Sequence, residues 1–507
     1  MRKIEKSQFT IIGSGPAAFF LAKKILEETE ETKVIVFEAG SYKTQTNSDY
    51  HPINIGKNLK LENTIHVGYG GTSNLWHNVL SPLDEVDFFP RPWLNLQGWP
   101  IRKKDLIRDY LEVSSYFELP FHLFDNKNCP INIDILKKDI NITKNNVFEN
   151  KIFLQPKKYF RSKKDFDLLK KKYGLRLNIN YDSPCLELIS GEEDKIVEVV
   201  IGGENNKITR IPVNKIILCA GLFGNIKILM NSKLPYQLRK NIGQCIFDHP
   251  MGVNGQVSLN KPKEMKLYTD TKLNDLYKIK TAVRYTDEYQ FENKKNNSAF
   301  YFRPSFSSGY DNVTEITKLR LLNIRSKIFN AKIPFEEIKY VATNFNIIKQ
   351  IIQYKTGLLS SVNLLDIFFV SEQMPLINCF SLSNIRDSYG YKKIEYNWRV
   401  EESDKIFIEE MINSIALNIL NNNDMSFTYP TNMVSWTDRS SSAAHHLGGC
   451  IMGDDPNISV VDKNSKVYGY SNFYISDGSV FASAGNANPT LTIMALSNRL
   501  GRHLSNV

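Results

Sequence analysis

Residues 9–28, FTIIGSGPAAFFLAKKILEE, begin with a short apolar run and break at two glycines. Apolar positions then recur at helical spacing. The pattern predicts a buried strand, a tight turn and an amphipathic helix. KVIVFEAG at 33–40 predicts a second buried strand closing on an acid, and KIVEVVIGG at 195–203 and IPVNKIILCAG at 211–221 predict further strands. HPMGVNGQVSLN at 249–260 and YGYKKIEYNWRV at 389–400 alternate polar and apolar residues, as half-buried strands do. Near the end, NFYISDGS at 472–479 reads as a strand. A helix is predicted to start at NPTLT, where Pro489 suits the first turn. At 507 residues the chain is too long for one ordinary core, so at least two lobes are expected.

Composition narrows the class. Hydrophobic content of 42% and aromatic content of 11% indicate a globular protein and not a disordered one. The formal net charge of +10 comes from scattered lysines, with no basic stripe interleaved with aromatics. A solvated lysine-rich surface is expected, and no nucleic-acid partner. The six cysteines lie far apart without metal-ligand spacing, which points to reduced thiols and no metal site. MRKIEKSQFTIIGSG leaves no room for a signal peptide before the first strand, so a cytoplasmic location is expected. The stretch 316–355 mixes apolar residues with Lys and Arg and is interrupted by Pro334. A lid or insertion with a solvated face is favoured there over a membrane-bound helix.

Gly13, Gly15 and Ala18 form a GxGxxA pattern between strand and helix. Gly13 permits the tight turn, Gly15 lets backbone approach a pyrophosphate at the helix N-terminus, and Ala18 allows close helix–strand packing. Glu38, at the end of the second strand, is placed to accept hydrogen bonds from a ribose. These residues point to a dinucleotide and leave NAD and FAD open. The glycine-rich loop HVGYGGTSNLWHNVLSP at 66–82 favours a flavin, with Gly70, Gly71, Ser73 and Asn74 lying along it. Asp477 and Gly478 follow the last strand, where they could hold the ribityl or pyrophosphate portion. Free N–H groups after Pro489, at Thr490 and beyond, would stabilise negative charge. Two adjacent histidines, His445 and His446, precede a double glycine in AAHHLGGCIMG.

Taken in order, IIGSGPAA…FEAG, GGTSNLW, KIILCAGLFGNIKIL, NIGQCIFDHP, HHLGGCIMG, KVYGYSNFYISDGS and NANPTLTIMAL resemble the glucose–methanol–choline (GMC) family of FAD oxidoreductases. The run NPTLTIMALSNRL is especially similar to its pyranose-oxidase branch. The resemblance implies an α/β fold, α+β overall. A Rossmann-like FAD-binding domain would be assembled from 1–90, 175–255 and 432–507. A sheet-based substrate domain would take 91–174 and 256–431, with a lid or insertion at 310–370. Cys185 would fall where a strand passes the adenine. The family pattern H-x-x-G-[TG]-x-x-M-G fits His445, Gly448, Gly449, Met452 and Gly453 without a gap, whereas His446 would need a one-residue shift. The resemblance thus makes His445 the base, Asn488 its partner and His446 a packing neighbour. A histidine that some relatives bond covalently to flavin is replaced here by Leu75, with His77 two residues on, so FAD should be held noncovalently.

The chemistry suits these residue types. Oxidising an alcohol carbon requires a base for the hydroxyl proton, which a neutral imidazole supplies, and an amide to hold the oxygen. The expected function is oxidation of a sugar, glycoside or polyol, with oxygen, a quinone or a carrier protein as electron acceptor. Alternatives are a GMC-type hydroxynitrile lyase that retains FAD without turning it over, and a membrane- or partner-associated flavoprotein subunit.

Overall fold

The structure is a computed structural model. It describes residues 8–43, 46–57, 61, 64–125, 146–192, 194–263, 271–272, 276–307, 314, 316–318, 320–321, 335–356, 358–359, 361–420, 425–428 and 440–506. Five parallel strands form the first sheet: β1 (Gln8–Ile12), β2 (Lys33–Phe37), β3 (Leu177–Asn180), β4 (Lys215–Leu218) and β5 (Phe473–Ile475), in the order β5-β4-β1-β2-β3. Ile11, Val34, Val36, Ile216, Ile217 and Ile475 are fully buried, as expected for a parallel sheet covered on both faces. Three helices serve this sheet: α1 (Pro16–Glu28), α2 (Gly221–Asn231) and α3 (Thr490–Ser505). α1 and α3 touch closely, because a Cβ on Gly501 would stand 2.7 Å from Lys24 Cβ and 3.1 Å from Leu21 O.

A second, eight-stranded sheet is antiparallel throughout its described pairings and is built around Pro250–Lys263, Tyr277–Tyr285, Ala299–Pro304 and Val362–Val370. Phe148–Pro156 pairs along the whole of Tyr277–Tyr285. A three-stranded antiparallel sheet of Cys185–Ser190, Ile196–Gly202 and Ile208–Pro212 lies between β3 and β4 in the chain. One continuous hydrophobic core joins side chains of the parallel sheet, such as Phe9 and Ile217, to those of the antiparallel sheet, such as Val257 and Phe369.

Two expected boundaries need correction. Val362–Val370 is an interior strand paired on both sides, so an insertion cannot run to 370. Segment 91–174 is also divided. Phe148–Pro156 joins the antiparallel sheet, but the helix Ile107–Tyr116 packs on α3, with Arg502 Nη2 2.7 Å from Asp109 Oδ2. The helix Ser162–Tyr173 meets α1 through Phe166 and Phe19, whose rings lie 5.4 Å apart.

Within 316–355, the helices Phe335–Thr343 and Phe345–Lys355 are seen, with Phe345 and Ile352 exposed. Residues 322–334, including Pro334, and 429–439 lie outside the described residues, as does Cys129. Among the described residues no helix is long and apolar enough to cross a membrane. The five described cysteines are free.

Candidate active site

The glycine turn after β1 is set by close packing. Gly13 has φ +100°, and a Cβ there would stand 2.5 Å from Cys219 O, so only glycine fits. The next residue joins three elements. Ser14 donates to Glu38 Oε2 from its amide at 3.0 Å and from its hydroxyl at 2.6 Å, and the same hydroxyl accepts from Gly70 N at 2.9 Å. Glu38 also accepts from Gly40 N at 2.9 Å. Burial pushes its carboxyl up to about 7, with the Ser14 and backbone hydrogen bonds opposing the rise.

The 70–74 turn braces itself. Ser73 Oγ donates to Gly70 O at 2.6 Å and accepts from Ser162 N at 3.0 Å, while Asn74 Nδ2 donates to Tyr69 O and Gly71 O. A Cβ on Gly71 would lie 3.1 Å from Gly15 Cα, so this turn closes over the start of α1. Gly15 itself faces open space, and no side chain caps α1. An uncapped helix N-terminus with room beside it fits a phosphate. A cavity of about 690 Å³ opens alongside, lined by His66, Asn74, Leu75, Arg161, Lys163 and Asp167 among others. His66 is buried in its wall, with an Nε2 that has no hydrogen-bond partner among the described residues. This cavity does not include His445 or Asn488.

At the other end of the chain, Asp477 is buried and fully engaged. It accepts from Gly221 N at 2.7 Å, Asn225 Nδ2 at 2.8 Å, and Ser479 N and Oγ at 2.8 and 2.6 Å. Its carboxylate therefore ties β5 to the start of α2, and a ligand would meet the backbone around Gly478 instead. Cys185 opens the three-stranded sheet, buried, with its thiol pushed up to about 12 by burial. Pro489 caps α3 without a side-chain hydrogen bond, so the N–H groups from Thr490 onward keep their free ends. Asn488 donates to Val79 O at 3.2 Å.

The histidine doublet meets a second doublet, Asp248–His249. His249 Nδ1 lies 2.7 Å from His445 Nδ1, and His249 Nε2 lies 3.3 Å from Ala484 O, on the loop that leads to Asn488. Asp248 Oδ2 lies 3.0 Å from His446 Nδ1 and accepts from Ser442 Oγ, while its Oδ1 accepts from the His445 amide at 3.2 Å. Burial raises the Asp248 carboxyl, but His446 and Ser442 outweigh it and hold the group below the usual carboxylate range. Burial, reinforced by His249, lowers His445 to about 3, and burial likewise lowers His249. His446 Nε2 reaches Thr64 Oγ1 at 3.3 Å, and its ring packs edge-on against Phe223. His446 is thus held at both nitrogens. His445 Nε2 has no recorded protein partner among the described residues.

The turn after the doublet is sterically exacting. A Cβ on Gly448, which has φ +81°, would fall 1.9 Å from Cys245 O. Ala444, just before the pair, adopts φ +61°, a conformation in which a residue with a side chain is strained. Ser14, Asp248 and His249 were not singled out from sequence. Ser14 sits inside the glycine pattern as an unspecified position, and DHP was read only as part of a longer resemblance.

A parallel sheet, closed by segments from both ends of the chain and joined to an antiparallel sheet, defines the class as a two-part α/β fold. Residues 378–497 match the GMC oxidoreductase family model. It is similar to 2-methyl-1,2-propanediol dehydrogenase of Mycolicibacterium austroafricanum, 31% identical over 150 residues, covering 28% of this chain and 25% of that one. It is also similar to the fructose dehydrogenase large subunit of Gluconobacter japonicus, 47% identical over 55 residues, covering 11% and 10%. The alignments thus span a quarter or less of these curated relatives. Over 98% of this chain and 99% of the other, the fold matches an FAD-dependent oxidoreductase from Chaetomium thermophilum, with TM-score 0.56 and 14% identity.

Proposed function

We propose that the chain is an FAD-dependent oxidoreductase that converts a CH–OH group of a sugar, glycoside or polyol to a carbonyl. The observation carrying this reading is His445: a half-buried ring whose proton affinity burial lowers, with no partner at Nε2 among the described residues, and linked through His249 to the loop that leads to Asn488 and the uncapped start of α3. The GMC oxidoreductase match over 378–497 supports FAD as the cofactor, and the matched diol and fructose dehydrogenases favour a hydroxylated substrate.

Gly15 and the free amides of α1 would hold the pyrophosphate, and Glu38 the ribose. The 70–74 turn, the backbone at 477–478 and the N–H groups at Thr490 would hold the flavin end. Leu75 offers no nucleophile, so attachment is noncovalent. When bound, FAD supplies the hydride acceptor. The chain's own work is acid–base and positional. His445 Nε2 takes the hydroxyl proton, leaving imidazolium and an alkoxide, and Asn488 hydrogen-bonds the oxygen so that the carbon stays in place. The N–H groups opening α3 offset the negative charge that develops near them.

The test is anaerobic bleaching of the flavin by a panel of sugars, glycosides and polyols, followed by acceptor screening with oxygen, quinones and carrier proteins. At least one alcohol should bleach the wild type. His445→Ala should keep FAD while reducing it ~10²–10⁴-fold more slowly. Acid precipitation should release all the flavin. Absence of bleaching with every alcohol, or an unimpaired His445→Ala, overturns the proposal.

A further inference from the structure

We propose that His249 is a positioning residue that fixes the tautomer of His445, leaving His445 Nε2 unprotonated and turned to its task. The inference rests on the reading of His445 as the base. It begins with Ala484, whose carbonyl oxygen can only accept a hydrogen bond. His249 Nε2, 3.3 Å away, must therefore carry the hydrogen. A neutral imidazole has a single N–H, so His249 Nδ1 presents a lone pair. The atom 2.7 Å from that lone pair is His445 Nδ1, which must donate. His445 then has its one hydrogen on Nδ1, and Nε2 is bare.

The opposite arrangement fails at the Ala484 contact. With the hydrogen on His249 Nδ1, its Nε2 lone pair would face the Ala484 carbonyl. His445 would then carry its hydrogen on Nε2 and could not accept a proton there. Burial lowers the proton affinity of each ring below that of an ordinary imidazole, and His249 lowers that of His445 further, so the neutral forms are the ones to weigh.

A carboxylate stands within reach but serves elsewhere. Asp248 faces His446 Nδ1 and Ser442, and gives His445 only a contact to its amide. The orienting partner of the base is thus a neutral imidazole. A carboxylate there would hold the same nitrogen but would raise the affinity of His445 for protons in the resting state. The chain Ala484 O, His249, His445 also runs from the loop bearing Asn488 to the base, so the two groups that handle the hydroxyl share one scaffold.

Long-range ¹H–¹⁵N spectra of protein labelled with ¹⁵N-histidine read the tautomer directly, with His445→Gln identifying the signals. The wild type should show His445 as the Nδ1–H form, and His249→Phe should shift it to a mixture or to Nε2–H. With an alcohol that bleaches the flavin, His249→Phe should slow reduction ~100-fold at unchanged FAD content. His249→Gln should recover at least ~10-fold of that loss, because its carbonyl oxygen accepts from His445 while its amide donates to Ala484 O. A wild-type His445 in the Nε2–H form overturns the inference, as does a His249→Phe protein that reduces flavin within ~3-fold of wild type. If no alcohol bleaches the flavin, the functional reading fails and the spectrum still decides the tautomer. If His249→Phe does not fold, the wild-type spectrum decides alone.

Discussion

Two adjacent pairs, Asp248–His249 and His445–His446, exchange partners across the site: imidazole to imidazole, and carboxylate to imidazole. The outcome is a division of labour between neighbours of identical chemistry. His446 sits against a charge and a hydroxyl, while His445 sits against a neutral ring. The pH behaviour follows. His445 is held at about 3 against an ordinary 6.5, so it stays neutral through the working range. Flavin reduction should therefore show no acid limb from this residue between pH 8 and pH 5, and stopped-flow traces across that range check it. A limb near 6.5 that disappears in a His445 variant would contradict the assignment. The stability sign is the same as that of a paired carboxylate, because in both the folded state binds protons less readily than the unfolded chain. Below 6.5 the unfolded chain binds a proton that the native His445 refuses, so stability falls as pH drops toward 3. His445 was a candidate from its family-like spacing to Gly448, Met452 and Gly453. His249 was not, because nothing in a linear string shows that a ring 196 positions earlier comes to rest 2.7 Å away.

At the level of elements, the first strand, glycine turn and helix read well because each is local: an apolar run, a residue with positive φ, then helical periodicity. The last strand and last helix read well for the same reason. What did not read was partnership. The polar helix Ile107–Tyr116 belongs with α3 through Asp109, Arg502 and Asn498, contacts made across almost 400 residues. The crossing of α1 and α3 at Gly501 gives a test in which two effects compete. Helix propensity favours alanine over glycine by about 1 kcal/mol at an interior position. Against it, the new Cβ would press on Lys24 Cβ and the Leu21 carbonyl, and overpacking of this kind costs about 1–3 kcal/mol. Backbone and Cβ cannot swing aside as a side-chain tip could, so Gly501→Ala should lower Tm. A raised Tm in a thermal melt would mean the helices part freely.

Across the whole molecule, the two sheets are fastened by buried charge. Arg91 forks onto Glu372 with both contacts at 2.6 Å, and Glu372 also accepts from Asn297 N and Gly485 N. Asn297 Nδ2 reaches Asp84 and Asp87, and Lys151 Nζ reaches Asp84 Oδ1 at 2.5 Å. Burial, then the nearby Asp84 and Glu372, pushes Asp87 up to about 7, so it sheds its charge more readily than Asp84, which Arg284 and Lys151 hold low. Because Gly485 and Asn486 belong to this knot, the loop that carries Asn488 is anchored to the antiparallel sheet. Arg91→Met leaves Glu372 buried and unpaired and should cost about 3–5 kcal/mol, while pairing it with Glu372→Leu should restore much of the loss. Chemical denaturation of the single and double variants measures both. Equal losses in the two would show that the pair contributes nothing.

The position of β5 also bears on how the protein is made. This strand and α3 complete a sheet whose first strand and helix are translated about 460 residues earlier. At 5–20 residues per second, α1 emerges roughly 20–90 s before the helix that covers it. Throughout that interval Leu21 and its apolar neighbours on α1 have no partner from the C-terminal segment, and the turn that would cradle a pyrophosphate lacks its far wall. Any cofactor held by that turn would therefore load late in biogenesis, and the apolar face of α1 would stay uncovered by α3 for that interval.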